Sequence, residues 1–135
     1  MKTAWIAAGL ITCAGMAAAD GEALYAEHCA ACHGAELEGQ TEWRTPNEDG
    51  TMPAPPHDRT GHTWHHGDAF LFDYTKLGGQ ETLKRIGVTD VPSGMPAFAG
   101  TLSDQQILEI LAFIKSTWPE RERQVQEQRS RAERQ

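Results

Sequence analysis

Cysteine is scarce in this chain, with three in 135 residues, at positions 13, 29 and 32. Cys13 lies in an N-terminal apolar stretch, so no disulfide framework can be built and the work of Cys29 and Cys32 is local. Basic charge is scarce too. Lys and Arg number 12 against 19 Asp and Glu, and over residues 20–118 the balance is 6 against 15. Binding nucleic acid needs the opposite balance to neutralise phosphates, so no nucleic-acid partner is expected. An acidic body favours encounter with a positively charged protein surface, and equally serves solubility. Internal repeats are missing, as is any apolar/polar alternation long enough for a sheet. Helical periodicity remains, and an all-α fold is expected.

The longest uncharged run, residues 3–19 (TAWIAAGLITCAGMAAA), follows Lys2 and ends on Ala17-Ala18-Ala19 before Asp20. A basic start, a short apolar core and a small-residue cleavage site mark a secretory signal. The expected organisation is a signal over 1–19, a domain over 20–118 and a charged tail over 119–135. After cleavage, no stable membrane insertion is expected. An uncleaved anchor is the second reading, opposed by the Ala- and Gly-rich composition at minimal spanning length. Lipid attachment at Cys13 is a third, opposed by the bulk of Thr12.

Four stretches follow. DGEALYAEHCAACH has good helix formers and no proline, with Leu24, His28 and Cys32 at helical spacing, and Gly34 suits a left-handed exit. Residues 34–61 carry Gly39, Pro46, Gly50, Pro53, Pro55 and Pro56 without apolar periodicity. A loop this long in a small domain needs a reason, and wrapping a large flat ligand would supply one. DAFLFDYTKLGG predicts a short helix with Phe70, Tyr74 and Leu77 on one face and a stop at Gly78-Gly79; the segment after it reads as loop with one turn near Leu83. The last core helix has Ser103 as cap, Gln106 reaching back, a Leu102–Ile107 staple, and a stripe of Ile107, Ile110, Leu111, Ile114 and Trp118. Beyond Pro119, ERERQVQEQRSRAERQ has almost nothing apolar to bury and reads as a solvated helix or frayed tail, with a docking arm as the minority reading.

CAACHG, residues 29–34, has three possible chemistries. A redox dithiol sits at a helix start after a strand, where the dipole lowers the thiol pKa. Here the motif closes a helix and no strand precedes it. Structural zinc needs four ligands, and no second thiol pair exists, although His33, His57, His62, His65 and His66 could be recruited. Covalent haem needs only what is present: Cys29 and Cys32 share a helix face and can reach two vinyl groups, and His33 can turn its imidazole under the iron. One haem c, covalently attached, is the expected cofactor.

For the sixth ligand, Met52 and Met95 sit in identical Met-Pro-Ala triplets that stiffen the presenting backbone. Met95 is favoured because SGMPAF lies just ahead of a capped helix and can be anchored at both ends; Met52 or a loop histidine is the alternative. In GHTWHH, His62, His65 and His66, with His57 near, are chemically competent for copper or zinc. No carboxylate or thiol is locked into that motif, so a structural role is expected, with imidazole and Trp64 donors holding haem propionates and fixing the long loop. His28 reads as a surface or packing residue, and Trp43 has no special assignment.

CAACHG, SGMPAF and LSDQQILEILAFIKSTWP, in this order and spacing, resemble a class I c-type cytochrome; PAPPHDRTGHTWHH and YTKLGG resemble a bacterial single-haem subgroup. The resemblance covers nearly all of the chain from Asp20 to Pro119. It implies crossed N- and C-terminal helices with a short middle helix and long loops around one haem. It also implies thioethers at Cys29 and Cys32, His33 and Met95 as iron ligands, and electron transfer in the periplasm between redox partner proteins. The expected function is an electron carrier and not an enzyme, since two axial ligands saturate the iron. A haem-based gas sensor or enzyme subunit with a weak sixth ligand, or a copper-handling module using the histidine loop, are the alternatives.

Overall fold

The computed structural model describes residues 14–135, with side chains from Asp20 onward. Most of the signal expected over 1–19 therefore lies outside the described residues, and its last positions, from Ala14, belong to the first helix. The helices are α1 Ala14–His28, α2 Ala30–His33, α3 Asp68–Leu77, α4 Gly79–Arg85, α5 Asp104–Ser116 and α6 Glu120–Glu133, with a 3-10 turn at Thr63–His65 before α3. Among the described residues there is no strand, and no helix is long and apolar enough to cross a membrane. The fold is all-α, as expected.

Helix α5 forms as its sequence dictates. Ser103 Oγ accepts from Gln106 N at 3.2 Å and Gln106 Oε1 accepts from Ser103 N at 2.9 Å, satisfying two groups the first turn leaves orphaned. Ile107, Ile110, Leu111, Ile114 and then Trp118 are all buried, each contributing about 1.5–3 kcal/mol over an exposed position. Leu102 and Ile107, the two ends of the expected staple, lie in the same core cluster.

The most extensive helix pairing is α1 with α5. The two helices approach closely at Gly21, where a Cβ would fall on the Glu109 carbonyl and 3.0 Å from Phe113 Cβ. Among the described side chains of the first helix and its exit, Gly21, Tyr25 and Cys29 are the buried face; Leu24 and His28, expected at helical spacing with Cys32, are partly buried and Cys32 is exposed. The chain also breaks helical continuity at Cys29 before resuming as α2, and it leaves at Gly34 with φ 84°, the positive value that favours glycine.

Three expectations are corrected in part. α3 has the expected span, but Leu71 and Thr75 are its buried face, while Phe70, Tyr74 and Leu77 are only partly buried. Thr75 tolerates burial because its hydroxyl donates to Leu71 O at 2.9 Å. The segment expected as loop with one turn near Leu83 does carry a turn there, but as part of the two-turn helix α4: Gly78, with φ 84°, turns the chain and a new helix starts at Gly79, held to α3 by Thr82 Oγ1 donating to Asp73 O at 3.0 Å. The stop signal was real, and a second helix followed it at once. Finally, the segment after Pro119, expected as a solvated helix or frayed tail, is the helix α6, but it is not wholly solvated: it packs on α3 and the 3-10 turn with Glu122, Gln126 and Ser130 buried.

Candidate haem site

Cys29, Cys32 and His33 sit where α1 passes into α2. Their backbone is fixed by His33 N to Cys29 O at 2.9 Å and Gly34 N to Ala30 O at 2.9 Å, and Tyr25 Oη donates to Gly34 O at 2.9 Å across the exit. Cys29 is buried, and burial followed by the neighbouring Cys32 pushes its thiol up to about 11. A thiol so reluctant to ionise is a poor redox nucleophile.

His33 is buried, and its Nδ1–H donates to the Pro55 carbonyl at 2.8 Å. Burial holds its pKa below the ordinary histidine value, partly offset by that hydrogen bond. The ring is thus neutral with its proton on Nδ1, and Nε2 keeps a lone pair for a metal. The His57 ring stacks on it at 4.0 Å, and burial, then the charges His33 and His62 would carry, hold His57 well below the ordinary range.

Pro55 is in place because the loop 34–61 folds back on itself. Gln40 N donates to Ala54 O and Ala54 N to Gln40 Oε1, both at 2.8 Å, and His57 N donates to Leu37 O at 2.8 Å. Leu37 is buried despite a φ of 63°, a conformation that its packing must sustain. Gly39 and Gly61 both press on Pro56 where any Cβ would collide. Trp118 Nε1 donates to His57 O at 2.7 Å and ties the loop to the end of α5. The sequence suggested Trp118 as core but not as this anchor.

Met95 lies on a loop pinned at both ends. Gly79 N donates to Met95 O at 3.0 Å, Met95 N to Ser93 Oγ at 3.3 Å, and Ser93 Oγ shares a hydrogen bond with Tyr74 Oη at 3.0 Å. After it, Phe98 N and Ala99 N donate to Thr75 O and Lys76 O, the open carbonyls at the end of α3, at 3.1 and 3.0 Å. Met52 is 40% exposed on the tip of the long loop. The thiol-imidazole group is carried by α1 and α2, the Met95 loop by α3 and α4, and both α1 and α3 pack on α5.

The histidine-rich stretch does not converge on a metal. Among the described residues no three His, Cys, Asp or Glu side chains form a metal-holding group. His65 packs on Trp64, and His62 meets the edges of Trp43 at 5.4 Å and His66 at 5.7 Å. Trp64 Nε1 donates to Arg59 O at 3.3 Å and His57 Nδ1 hydrogen-bonds Thr63 Oγ1 at 2.8 Å, so these donors fix the loop. His62 Nδ1 is different: it is buried and has no hydrogen-bond partner among the described residues.

An all-helical chain with Cys-x-x-Cys-His at a helix exit and an imidazole oriented by a carbonyl defines a protein that binds haem through thioether bonds. A family model described as Cytochrome c matches residues 18–118, and the chain belongs to the cytochrome c family. Its cofactor is covalently attached haem c and its chemistry is haem-based electron transfer. Searches of curated proteins and of solved structures found no significant match. The residues present fit the group: paired thiols, an imidazole with a free Nε2, an anchored methionine, and in His62 Nδ1 a buried polar atom still needing a partner such as a propionate.

Proposed function

We propose that the protein is an exported, single-haem electron carrier of the bacterial periplasm, with a leader removed from residues 1–19. Cys29 and Cys32 hold the porphyrin, and His33 and Met95 ligate iron on its two faces. When bound, the haem takes up and releases one electron at its iron. The orientation of His33 carries the reading: its Nδ1–H bond to Pro55 O, 2.8 Å long, fixes the tautomer and ring plane that a proximal ligand requires. Neutral His33 and a thioether from Met95 favour the ferrous state over a pair of imidazoles, giving a comparatively high potential. With both positions filled, the chain offers an outer-sphere path and no substrate position.

The acidic body supports partners of opposite sign. Glu36, Glu38, Glu42, Glu48 and Asp49 are all exposed on the long loop, a surface suited to a donor or acceptor bearing Lys and Arg.

The test is a pair of substitutions in haem-loaded protein. Met95→Ala abolishes the sulfur-to-iron charge-transfer band, lowers the potential and lets carbon monoxide bind the reduced form, whereas Met52→Ala leaves all three unchanged. The reverse pattern overturns the ligand assignment. Ready carbon monoxide binding by the parent protein overturns the carrier reading in favour of a sensor.

A further inference from the structure

Helix α6 lies beyond the family match, which ends at residue 118, and its buried face is wholly polar. Glu122, Gln126 and Ser130 repeat every four residues and are 6%, 2% and 2% exposed. Burying polar groups costs free energy unless they are bonded, so their partners explain the helix. Most of those partners are at the start of α3. Asp68 N donates to Ser130 Oγ at 2.9 Å, and Ala69 N and Phe70 N donate to the two Glu133 carboxylate oxygens at 2.9 and 3.4 Å. Gln126 Nε2 donates to Asp68 Oδ1 at 2.8 Å and Ser130 Oγ at 3.0 Å, and Lys115 Nζ of α5 reaches the same Asp68 oxygen at 2.7 Å.

α3 has no cap of its own, since the residue before it is Gly67. The missing side chain is what admits α6: a Cβ on Gly67 would occupy the place of the Glu133 carboxylate. The first three N–H groups of α3, which every helix leaves without an internal partner, are thus satisfied by a different helix 60 and more residues away.

The other end of α3 carries the Met95 loop. Thr75 O and Lys76 O accept from Phe98 N and Ala99 N, Tyr74 Oη bonds Ser93 Oγ, and a Cβ on Gly78 would lie 3.2 Å from Met95 O. At ten residues, α3 is about 15 Å long and too short to be stable by itself. It is held by one apolar face and by its two ends, one gripped by α6 and the other gripping the methionine loop.

We propose that Ser130 and Glu133 are positioning residues for the sixth iron ligand: by capping α3 they fix its setting, and α3 transmits that setting to Met95. This rests on the reading of Met95 as a ligand. Loosening the capped end lowers the cost of displacing the ligand loop at the opposite end, so exogenous ligands compete better for the iron.

The test uses ferric, haem-loaded full-length protein titrated with imidazole, which displaces a weakly held methionine. Ser130→Ala with Glu133→Ala is expected to tighten apparent imidazole binding about tenfold, equivalent to about 1.4 kcal/mol and the scale of one helix cap. Gly67→Ala, which displaces the Glu133 carboxylate, and Glu133→Ala alone, at the exposed end of α6, shift it in the same direction. They also serve if the double variant does not load haem. Gly21→Ala supplies a comparable loss of stability at the α1–α5 contact and leaves imidazole binding unchanged. If the α6 variants bind imidazole as the parent does, or no better than Gly21→Ala, the inference is overturned. Met95→Ala separates the two failures. Persistence of the charge-transfer band there removes the ligand assignment and this inference with it, while its loss, alongside unmoved α6 variants, removes this inference alone.

Discussion

Gly21→Ala sets two physical effects of opposite sign against each other. Gly21 lies inside α1, and in an open helical position replacing glycine with alanine stabilises by about 0.5–1 kcal/mol. Here the added methyl falls on the Glu109 carbonyl, with the carbonyl carbon at 2.8 Å and Phe113 Cβ at 3.0 Å. The first two are backbone atoms and cannot rotate away. Either α1 and α5 move apart or α5 distorts, and overpacking of that kind costs about 1–3 kcal/mol. Steric cost exceeds propensity gain, leaving a net loss of about 1–2 kcal/mol. For a chain of this size that lowers Tm by roughly 5 °C or more. The assay is thermal unfolding of haem-loaded protein followed by far-ultraviolet circular dichroism. An unchanged or raised Tm would mean that the α1–α5 contact is looser than described and that propensity alone governs the site.

Other expectations follow from the same contacts. Ser103→Ala removes the side-chain half of the capping box of α5, the Oγ that accepts from Gln106 N, and lowers stability by about 1 kcal/mol, read as a shift in urea midpoint without a change in m. Asp68 gives a pH dependence. Burial pushes its carboxyl up, but hydrogen bonds from Lys115 and Gln126, the Lys115 charge and the Ser130 hydroxyl more than offset this and hold it below the ordinary value of 3.8. A lowered native pKa contributes stability above the unfolded value and loses it as pH falls through the native one. The difference in urea midpoint between the parent and Asp68→Asn is therefore constant above about pH 5 and shrinks below 3.8. A difference that instead grows as pH falls below 5 contradicts the sign.

What could be read from the sequence divides by the distance over which the cause acts. The cap and stripe of α5 were legible because Ser103, Gln106 and the isoleucines act within a few residues of one another. The CAACH spacing was legible for the same reason, since five adjacent residues point to the haem c that the family carries. The packed face of α1 was not legible because Gly21 signals nothing by hydropathy; its value is the backbone approach it permits to Glu109. On α3, Thr75 counts as polar in sequence and is buried only because Leu71 O takes its proton.

The burial of one face of α6, expected as a solvated helix or frayed tail, has the clearest cause. Glu122, Gln126 and Ser130 present the same pattern whether they face water or another helix. Only the bare N–H groups of α3, and the glycine that leaves them open, make burial favourable. His33 repeats the lesson at the site itself, where the carbonyl that fixes its tautomer belongs to Pro55, 22 residues away, and is delivered by a loop that folds back through Leu37 and Gln40. In both places a polar group supplied from a distant segment decides the geometry. The long loop and the charged helix, the two segments with least apolar pattern, thus set the orientation of one proposed iron ligand and brace the helix that carries the other.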